Sequence, residues 1–367
     1  MGDSGSKVAS NKQLRAEKKS LREVQLAVRR TLVALLANQA SIGASADSAG
    51  QEIKVLVACS GGADSLALAA ALAYVAKPLP VSIGAIIVDH QLQAGSDQVA
   101  AQAADQCAQL GFSDVQVVAI EVPQAPGSGG LEDAARKYRY LAFTDAAVKS
   151  EAQAILLGHT LDDQAETVLL RLTRGSGARS LAGIPHRNGI FYRPMLELRR
   201  RDTENVCRFL GLKVWDDPTN LAPSHGELTQ SWPLRSRVRT RVLPTMRAEL
   251  GESVVSSLAK SAKLLRQDDD ALNAIASEVL ANVRVVGSHY FIDALALHQK
   301  PVAVRSRVLK LAASDAGVEA SSLSMVHIES MDALITNWHG QKALELPGGL
   351  RVSRKCGNLV FERLSKT

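Results

Sequence analysis

Short apolar runs along the chain alternate with stretches in which apolar residues recur every three or four positions. The runs at 54–58, 81–88, 115–122, 154–158 and 190–194 predict buried strands. Between them, the spacing predicts helices over 66–76, 96–110, 130–149 and 160–172. Strands alternating with helices predict an α/β fold, a doubly wound parallel five-stranded sheet. Ligands of such sheets bind beyond the carboxyl ends of the strands. Residues 1–21 are polar and basic and read as a disordered or loosely helical arm; 24–38 has helical spacing, and 40–50 reads as an Ala/Ser/Gly linker. Residues 216–230, rich in Pro, Asn, Ser and Gly, close the α/β region. Residues 231–316 follow a helical pattern. The remainder predicts one helix over 325–337 and a hairpin-like stretch with turns at Pro347-Gly348-Gly349 and Lys355-Cys356-Gly357-Asn358. The expected organisation is a basic arm, helix and linker over 1–50, the α/β domain over 51–222, a linker and helical domain over 223–320, and a small α+β segment over 321–367.

Composition narrows the classes. Of 367 residues, 46% are apolar, enough for a sizeable core and against global disorder. Aromatics are only 4%, which weakens any reading built on broad base-stacking platforms. A net charge of +6 fits a polyanionic partner. Cys59, Cys107, Cys207 and Cys356 are far apart and form no C-x-x-C pair, so zinc and iron–sulfur readings lose their ligand spacing. Isolated thiols point to a reducing cytoplasm. No stretch has the length and apolarity of a membrane span, and the N-terminus lacks a signal-peptide core.

The densest chemistry follows the first predicted strand. Val55 to Ala58 runs through Cys59 into Ser60-Gly61-Gly62-Ala63-Asp64-Ser65, and an Ala/Leu-rich helix begins. Strand, glycine turn and helix present a helix N-terminus and free amides to an anion. Two glycines let phosphates approach the backbone. Ser60 and Ser65 add hydroxyls, and Asp64 a carboxylate where a metal–phosphate complex would sit. The absence of a Lys-Ser/Thr pair excludes a Walker grip. The pattern resembles the PP-loop of N-type ATP pyrophosphatases, which cleave ATP between the α and β phosphates.

A second stretch, Gly158-His159-Thr160-Leu161-Asp162-Asp163-Gln164-Ala165-Glu166-Thr167, follows the fourth strand and opens a helix. His159, Asp163 and Glu166 recur at helical spacing on one face. One of the two aspartates could be a helix cap, but a cap leaves the histidine, the other acids, Arg171 and Arg174 unexplained. Carboxylates suit Mg²⁺ on pyrophosphate, and a histidine can stabilise charge or move a proton. Asp89 and His90 end the second strand. Arg136 and Arg139 share a helix face in Glu132 to Tyr140, as phosphate-binding forks or as a plain solvated face. Arg235, Arg237, Arg239 and Arg241 spread around a helix, so not all can touch one ligand.

Taken in order, these motifs resemble the tRNA(Ile)-lysidine synthetases: the loop at 60–65, Val88-Asp89-His90-Gln91-Leu92, the Glu-x-x-Ala-Arg-x-x-Arg-Tyr helix from Glu132 to Tyr140, Gly158 to Gly177, Arg193-Pro194-Met195-Leu196, Asp217-Pro218-Thr219-Asn220 and Arg235 to Pro244. The resemblance covers about 55–244 and implies a PP-loop, adenine nucleotide alpha hydrolase-like fold. It implies that ATP adenylates the C2 oxygen of the wobble cytidine in the CAU anticodon of tRNA(Ile), and that free L-lysine then displaces AMP to give lysidine. By motif, Ser60, Gly61, Gly62, Ala63, Asp64, Ser65, Asp89, His90, Gly158 and His159 would hold ATP, and Asp64 and Asp163 would hold Mg²⁺. Asp64, His159, Asp163, Arg136 and Arg139 would be catalytic; Glu166, Arg171, Arg174, Arg193, Arg235 and Arg239 would contact substrate or tRNA. A homodimer is compatible with the resemblance. Three departures stand out: Gln93 in place of Arg, Ser236 in place of Asn, and a longer segment over 221–232. The length also leaves no room for the extra C-terminal tRNA-binding domain of longer members. Cysteine-dependent tRNA 2-thiolases share the loop, as do NAD and GMP synthetases, and a non-catalytic tRNA-binding protein is the rival of a different class.

Overall fold

The computed structural model describes residues 3–42, 52–91, 93, 95–122, 130–174, 177–217, 232–281, 283–286 and 289–363. Residues 175–176 of the Gly158 to Gly177 motif, the Pro218-Thr219-Asn220 motif, the 221–230 segment, Leu92 and most of the 40–50 linker lie outside them. The chain forms two compact units, Met1–Lys263 and Leu264–Thr367.

In the first unit α1 (Asp3–Ile42) precedes β1 (Ile53–Ala58), α2 (Ala63–Val75), β2 (Val81–Asp89), α3 (Ser96–Gln109), β3 (Asp114–Ala119), α4 (Gly130–Lys149), β4 (Ala154–Leu156), α5 (Leu161–Leu172), α6 (Ala178–Leu181), β5 (Arg187–Asn188), β6 (Phe191–Tyr192) and α7 (Arg200–Leu210). Then α8 (Leu234–Arg237) runs through a π-helical turn, Val238–Val242, into α9 (Leu243–Leu250) and the start of α10 (Val254–Ala281). The sheet order is β3-β2-β1-β4-β6-β5. Its first five members pair in parallel, and β5 runs antiparallel to β6. The fold is thus a mostly parallel α/β sheet of six strands where periodicity predicts five. A two-residue strand is too short to show a period, and only its pairing across Gly189 reveals it.

The central strands β1, β2 and β4 are buried on both faces, whereas β3, expected to be buried, is an edge strand and stays partly exposed. Val55, Val57 and Ile87 pack with α2, whereas Leu56, Ile86 and Ile155 pack with Phe143 and Ala146 of α4. Successive side chains of a strand point to opposite faces, so a strand covered by helices on both sides must be apolar throughout. The connection from β1 leads to β2 on one side, and β4 lies on the other. The carboxyl end of β1 is therefore the switch point of the sheet, where a crevice opens.

The N-terminal stretch is not an arm followed by a separate helix but one helix, α1. Val24, Val28, Leu32 and Leu35 make an apolar stripe that joins the main core. Within the stretch expected to be loose, Glu17 and Ser20 are buried. The Ser20 hydroxyl donates to Asp202 Oδ1 of α7 at 3.0 Å and accepts from Asn205 Nδ2 at 3.2 Å. These tertiary partners are invisible in local composition.

The second unit holds the end of α10, β7 (Arg284–Val286), β8 (His289–Asp293), α11 (Ala294–His298), α12 (Val302–Asp315), α13 (Met325–Thr336), β9 (Leu344–Leu346), β10 (Leu350–Lys355) and β11 (Asn358–Arg363). The expected uninterrupted helical stretch to 316 is broken by β7 and β8. All five strands are antiparallel, in the order β7-β8-β11-β10-β9. The hairpin expected at Lys355-Cys356-Gly357-Asn358 joins β10 to β11. One core joins Val308 and Ala312 of α12, Met331 of α13 and Phe361 of β11, so elements on both sides of residue 320 fold together.

Candidate active site

The turn after β1 is braced by its own side chains. Gly61 adopts φ +81°, and Gly62 is the extended N-cap of α2. The Ser65 hydroxyl donates to Gly62 O at 2.9 Å and accepts from Ser60 N at 3.1 Å, so it shapes the loop from within. Leu66 N reaches back to Gly62 O at 3.0 Å. The amides of Ala63 and Asp64 thus head the helix without intrahelical acceptors, as an anion site requires. Trp215 N donates to Gly61 O at 3.0 Å and pins the 212–217 segment against the turn. Gln93, one of the departures, donates from its amide to Asp217 Oδ1 at 3.1 Å.

Gly158 closes the gap between β4 and α2. A Cβ there would lie 3.0 Å from Asp64 C and 3.1 Å from Asp64 O and Ser65 N, all backbone atoms that cannot swing aside. Gly158→Val is expected to push the head of α2 off the strand end and weaken ATP binding at least about tenfold by the loss of amide geometry. Equilibrium binding of labelled ATP to the folded variant tests this, and wild-type affinity would refute it.

Four acids and four arginines fill the floor of the crevice. Asp64 Oδ1 accepts from the Thr203 hydroxyl and Oδ2 from Arg200 Nε at 3.3 Å. Asp163 Oδ2 accepts from Thr160 N and Oγ1 at 2.8 and 2.9 Å, a capping box for α5. Its Oδ1 faces Arg200 Nη2 at 3.0 Å, Arg239 Nη2 at 3.3 Å and Arg235 Nη2 at 3.6 Å. Asp163 is therefore cap and site residue at once. Glu166 is fully buried and gives both oxygens to Arg200, Arg235 and Arg239. Asp162 accepts from Arg200 N at 2.9 Å and pairs with Arg247 at 2.7 Å. Burial, partly offset by Arg200, raises the Asp64 carboxyl to about 6. Burial pushes Asp163 up too, but the Arg200 and Arg235 guanidiniums, with His159 and Arg239, outweigh it and hold this carboxyl well below the usual range.

A second wall of the crevice is cationic. Arg139 Nε donates to His90 Nε2 at 2.9 Å. Arg193, buried, donates to Pro185 O at 3.1 Å and to the Tyr140 hydroxyl at 3.2 Å. Arg136 lies over the Tyr140 ring, 5.0 Å from its centroid. Arg193 Nε, His90 Nδ1 and His159 Nδ1 are buried with no hydrogen-bond partner. Arg193 Nε, and His90 Nδ1 in a neutral ring whose Nε2 already accepts, are orphaned buried donors beside guanidiniums and call for an anionic or acceptor-rich ligand. Burial, reinforced by nearby arginines and opposed by Asp163 and Asp89 respectively, lowers His159 to about 3 and His90 to about 4. Both rings are therefore expected to stay neutral from pH 8 down to pH 5, which ring-proton NMR reads directly; a ring titrating near 6.5 would refute it. The unfolded rings bind protons near the ordinary value of 6.5, so the stability that these neutral rings contribute is lost as pH falls below that value.

Asp64, Asp163, Glu166, Arg235 and Arg239 thus meet at one point, with Asp89, His90, Gly158, His159, Arg136, Arg139 and Arg193 at the strand ends or on the facing wall. Arg171 instead donates to Ser180 O at 2.6 Å and Gly183 O at 3.0 Å, bracing α6, and Arg174 is exposed. Arg200 and Thr203 belong to no predicted element. Their signal was the cap residue Asp202, the apolar spacing of Val206 and Leu210, and Gly211 just beyond, which together mark a helix. Among the described residues no three His, Cys, Asp or Glu side chains converge as a metal cage. Asp64 and Asp163 suit a hard cation by chemistry, but Arg200 bonds to both.

A PP-loop domain family matches residues 28–246, and the TilS substrate binding domain family matches 293–359. The tRNA(Ile)-lysidine synthase of Salinispora tropica is 47% identical over 83% of this chain and 90% of its own length. That of Streptomyces coelicolor is 45% identical over 84% and 85%, and that of Bifidobacterium longum subsp. infantis 41% identical over 82% and 84%.

Proposed function

Because the chain belongs to the tRNA(Ile)-lysidine synthase family, we propose that the crevice beyond β1 and β4 uses ATP to activate the wobble cytidine of a CAU-anticodon isoleucine tRNA and joins free L-lysine to its C2. The cytidine C2 oxygen attacks the α-phosphorus, and pyrophosphate leaves. The lysine ε-amine, having lost a proton from its ammonium form, then attacks C2, and AMP leaves with the C2 oxygen. The observation that carries this reading is the glycine turn heading α2, set between a carboxylate floor and a facing wall where Arg193 Nε and the Nδ1 atoms of neutral His90 and His159 are buried without a hydrogen-bond partner.

Amides of the 60–65 turn bind the pyrophosphate, with Asp89 and His90 flanking the nucleotide at the end of β2. Arg136, Arg139 and Arg193 supply positive charge for the phosphates or the cytidine. His159 is neutral at physiological pH, so it orients substrate or accepts a proton and is not the source of positive charge. Glu166 acts through Arg235 and Arg239, holding them beside Asp163 on the floor of the site. Mg²⁺ held through Asp64 and Asp163 would neutralise charge on the pyrophosphate. The second unit recognises tRNA. There Arg305, Arg307, Arg351 and Lys355 are paired with Asp332, Asp269, Glu345 and Glu362, so fewer cations face RNA than the sequence offers. Substrates of this kind meet in the cytoplasm, and among the described residues no helix is long and apolar enough to cross a membrane. Light scattering tests the homodimer that the resemblance allows.

The 2-thiolase alternative is not favoured: Cys59, Cys107 and Cys207 are buried and Cys356 lies in the β10–β11 hairpin of the second unit. Mass spectrometry of an unmodified CAU-anticodon tRNA after incubation with enzyme, ATP and lysine should show lysidine at the wobble position, with labelled ATP converted to AMP. Lysine-dependent ADP, or a sulfur adduct, would overturn the reading.

A further inference from the structure

Arg200 stands in the middle of the carboxylates. Its Nε donates to Asp64 Oδ2 at 3.3 Å, its Nη2 to Asp163 Oδ1 at 3.0 Å and its Nη1 to Glu166 Oε1 at 3.3 Å. One guanidinium thus spends all three nitrogens on three acids from α2 and α5. Arg235 and Arg239 also bond Asp163 and Glu166.

Its placement is enforced from behind. Arg200 is the first residue of α7, and its own N donates to Asp162 Oδ2. Asp202 Oδ2 caps the helix by accepting from Arg199 N at 3.0 Å, while Asp202 Oδ1 is held by Ser20 of α1. Thr203, on the same helix face, fixes the other oxygen of Asp64. A cation shared by Asp64 and Asp163 needs the oxygens that Arg200 now engages, in the tight octahedral geometry of Mg²⁺ at about 2.1 Å. Guanidinium and dication are mutually exclusive there.

We propose that Arg200 is a built-in counter-ion that keeps divalent cations out of the Asp64–Asp163 gap until nucleotide phosphates arrive, so that cation and ATP load together. The inference rests on reading the crevice as the ATP site. A triphosphate changes the balance in two ways: its oxygens complete the cation's shell, and they offer the guanidinium another bidentate anion. A free cation offers neither. Arg200 is thereby a positioning residue whose removal creates a property the wild type lacks.

The test is Mn²⁺ binding to the full-length protein, followed by electron paramagnetic resonance with and without the non-hydrolysable analogue α,β-methylene-ATP. Wild type should bind Mn²⁺ at least tenfold more tightly with the analogue. Arg200→Gln should bind Mn²⁺ without nucleotide at least tenfold more tightly than wild type does, and adding Asp64→Asn should abolish the gain. Arg200→Lys, which keeps the charge but not the fork, should fall between. Equal Mn²⁺ affinity of wild type with and without bound analogue overturns the proposal whether or not any variant folds. So does a folded Arg200→Gln with wild-type Mn²⁺ affinity. Failure of wild type to bind the analogue in equilibrium dialysis would instead overturn the ATP reading of the crevice, and this proposal with it.

Discussion

Asp64→Asn is expected to lower AMP and lysidine formation by about a thousandfold, the loss typical of removing a charged or hydrogen-bonding group aimed at the reacting centre. The carboxylate sits two residues past the glycine turn, at the head of α2, where the α–β bond of ATP would be broken. It is ionised at neutral pH only against the cost of burial, which Arg200 partly offsets. An amide keeps the volume and can still accept from Thr203, so the fold and tRNA affinity should be preserved to within about twofold. Single-turnover assays with labelled ATP, paired with filter binding of the tRNA, separate these effects. Activity within tenfold of wild type would remove Asp64 from the reacting centre.

Glu166→Ala should have the largest effect on stability. The side chain is fully buried and its two oxygens bond three guanidiniums. Breaking such a buried pair strands charge in a low-dielectric site and costs about 3–5 kcal/mol. Asp163 cannot absorb the stranded cations, because one of its oxygens is committed to the cap of α5. The loss should appear as a lowered melting transition of the first unit in calorimetry, with the second unit, which has its own core, melting as before. A destabilisation below about 1 kcal/mol would mean that water or anions replace the carboxylate freely.

Much of the α/β domain was readable from the chain. Ala63–Val75 and Gly130–Lys149 form where apolar spacing predicts helices, and the glycine turn lies at a strand end because a buried strand, a tight turn and a helix each leave a local mark. The PP-loop residues could be read for the same reason: Ser60 to Ser65 are contiguous, and their chemistry needs contiguity. The order of the strands, and so which two carboxyl ends flank the crevice, was decided by tertiary structure alone. So was the bonding of Asp163. Sequence marks it as cap or site residue, and only the fold shows that its two oxygens serve both.

Arg200 is the clearest case. It lies 136 residues from Asp64 in the chain, and nothing local distinguishes it from its neighbours Arg199 and Arg201. What selects it is the head of α7, brought to Asp64 by packing against α1 and α2. Local spacing specifies helices and turns because its cause lies within a few residues. The charge balance of the crevice depends on groups brought together by burial from widely separated stretches of chain, so folding alone decides which guanidinium meets which carboxylate.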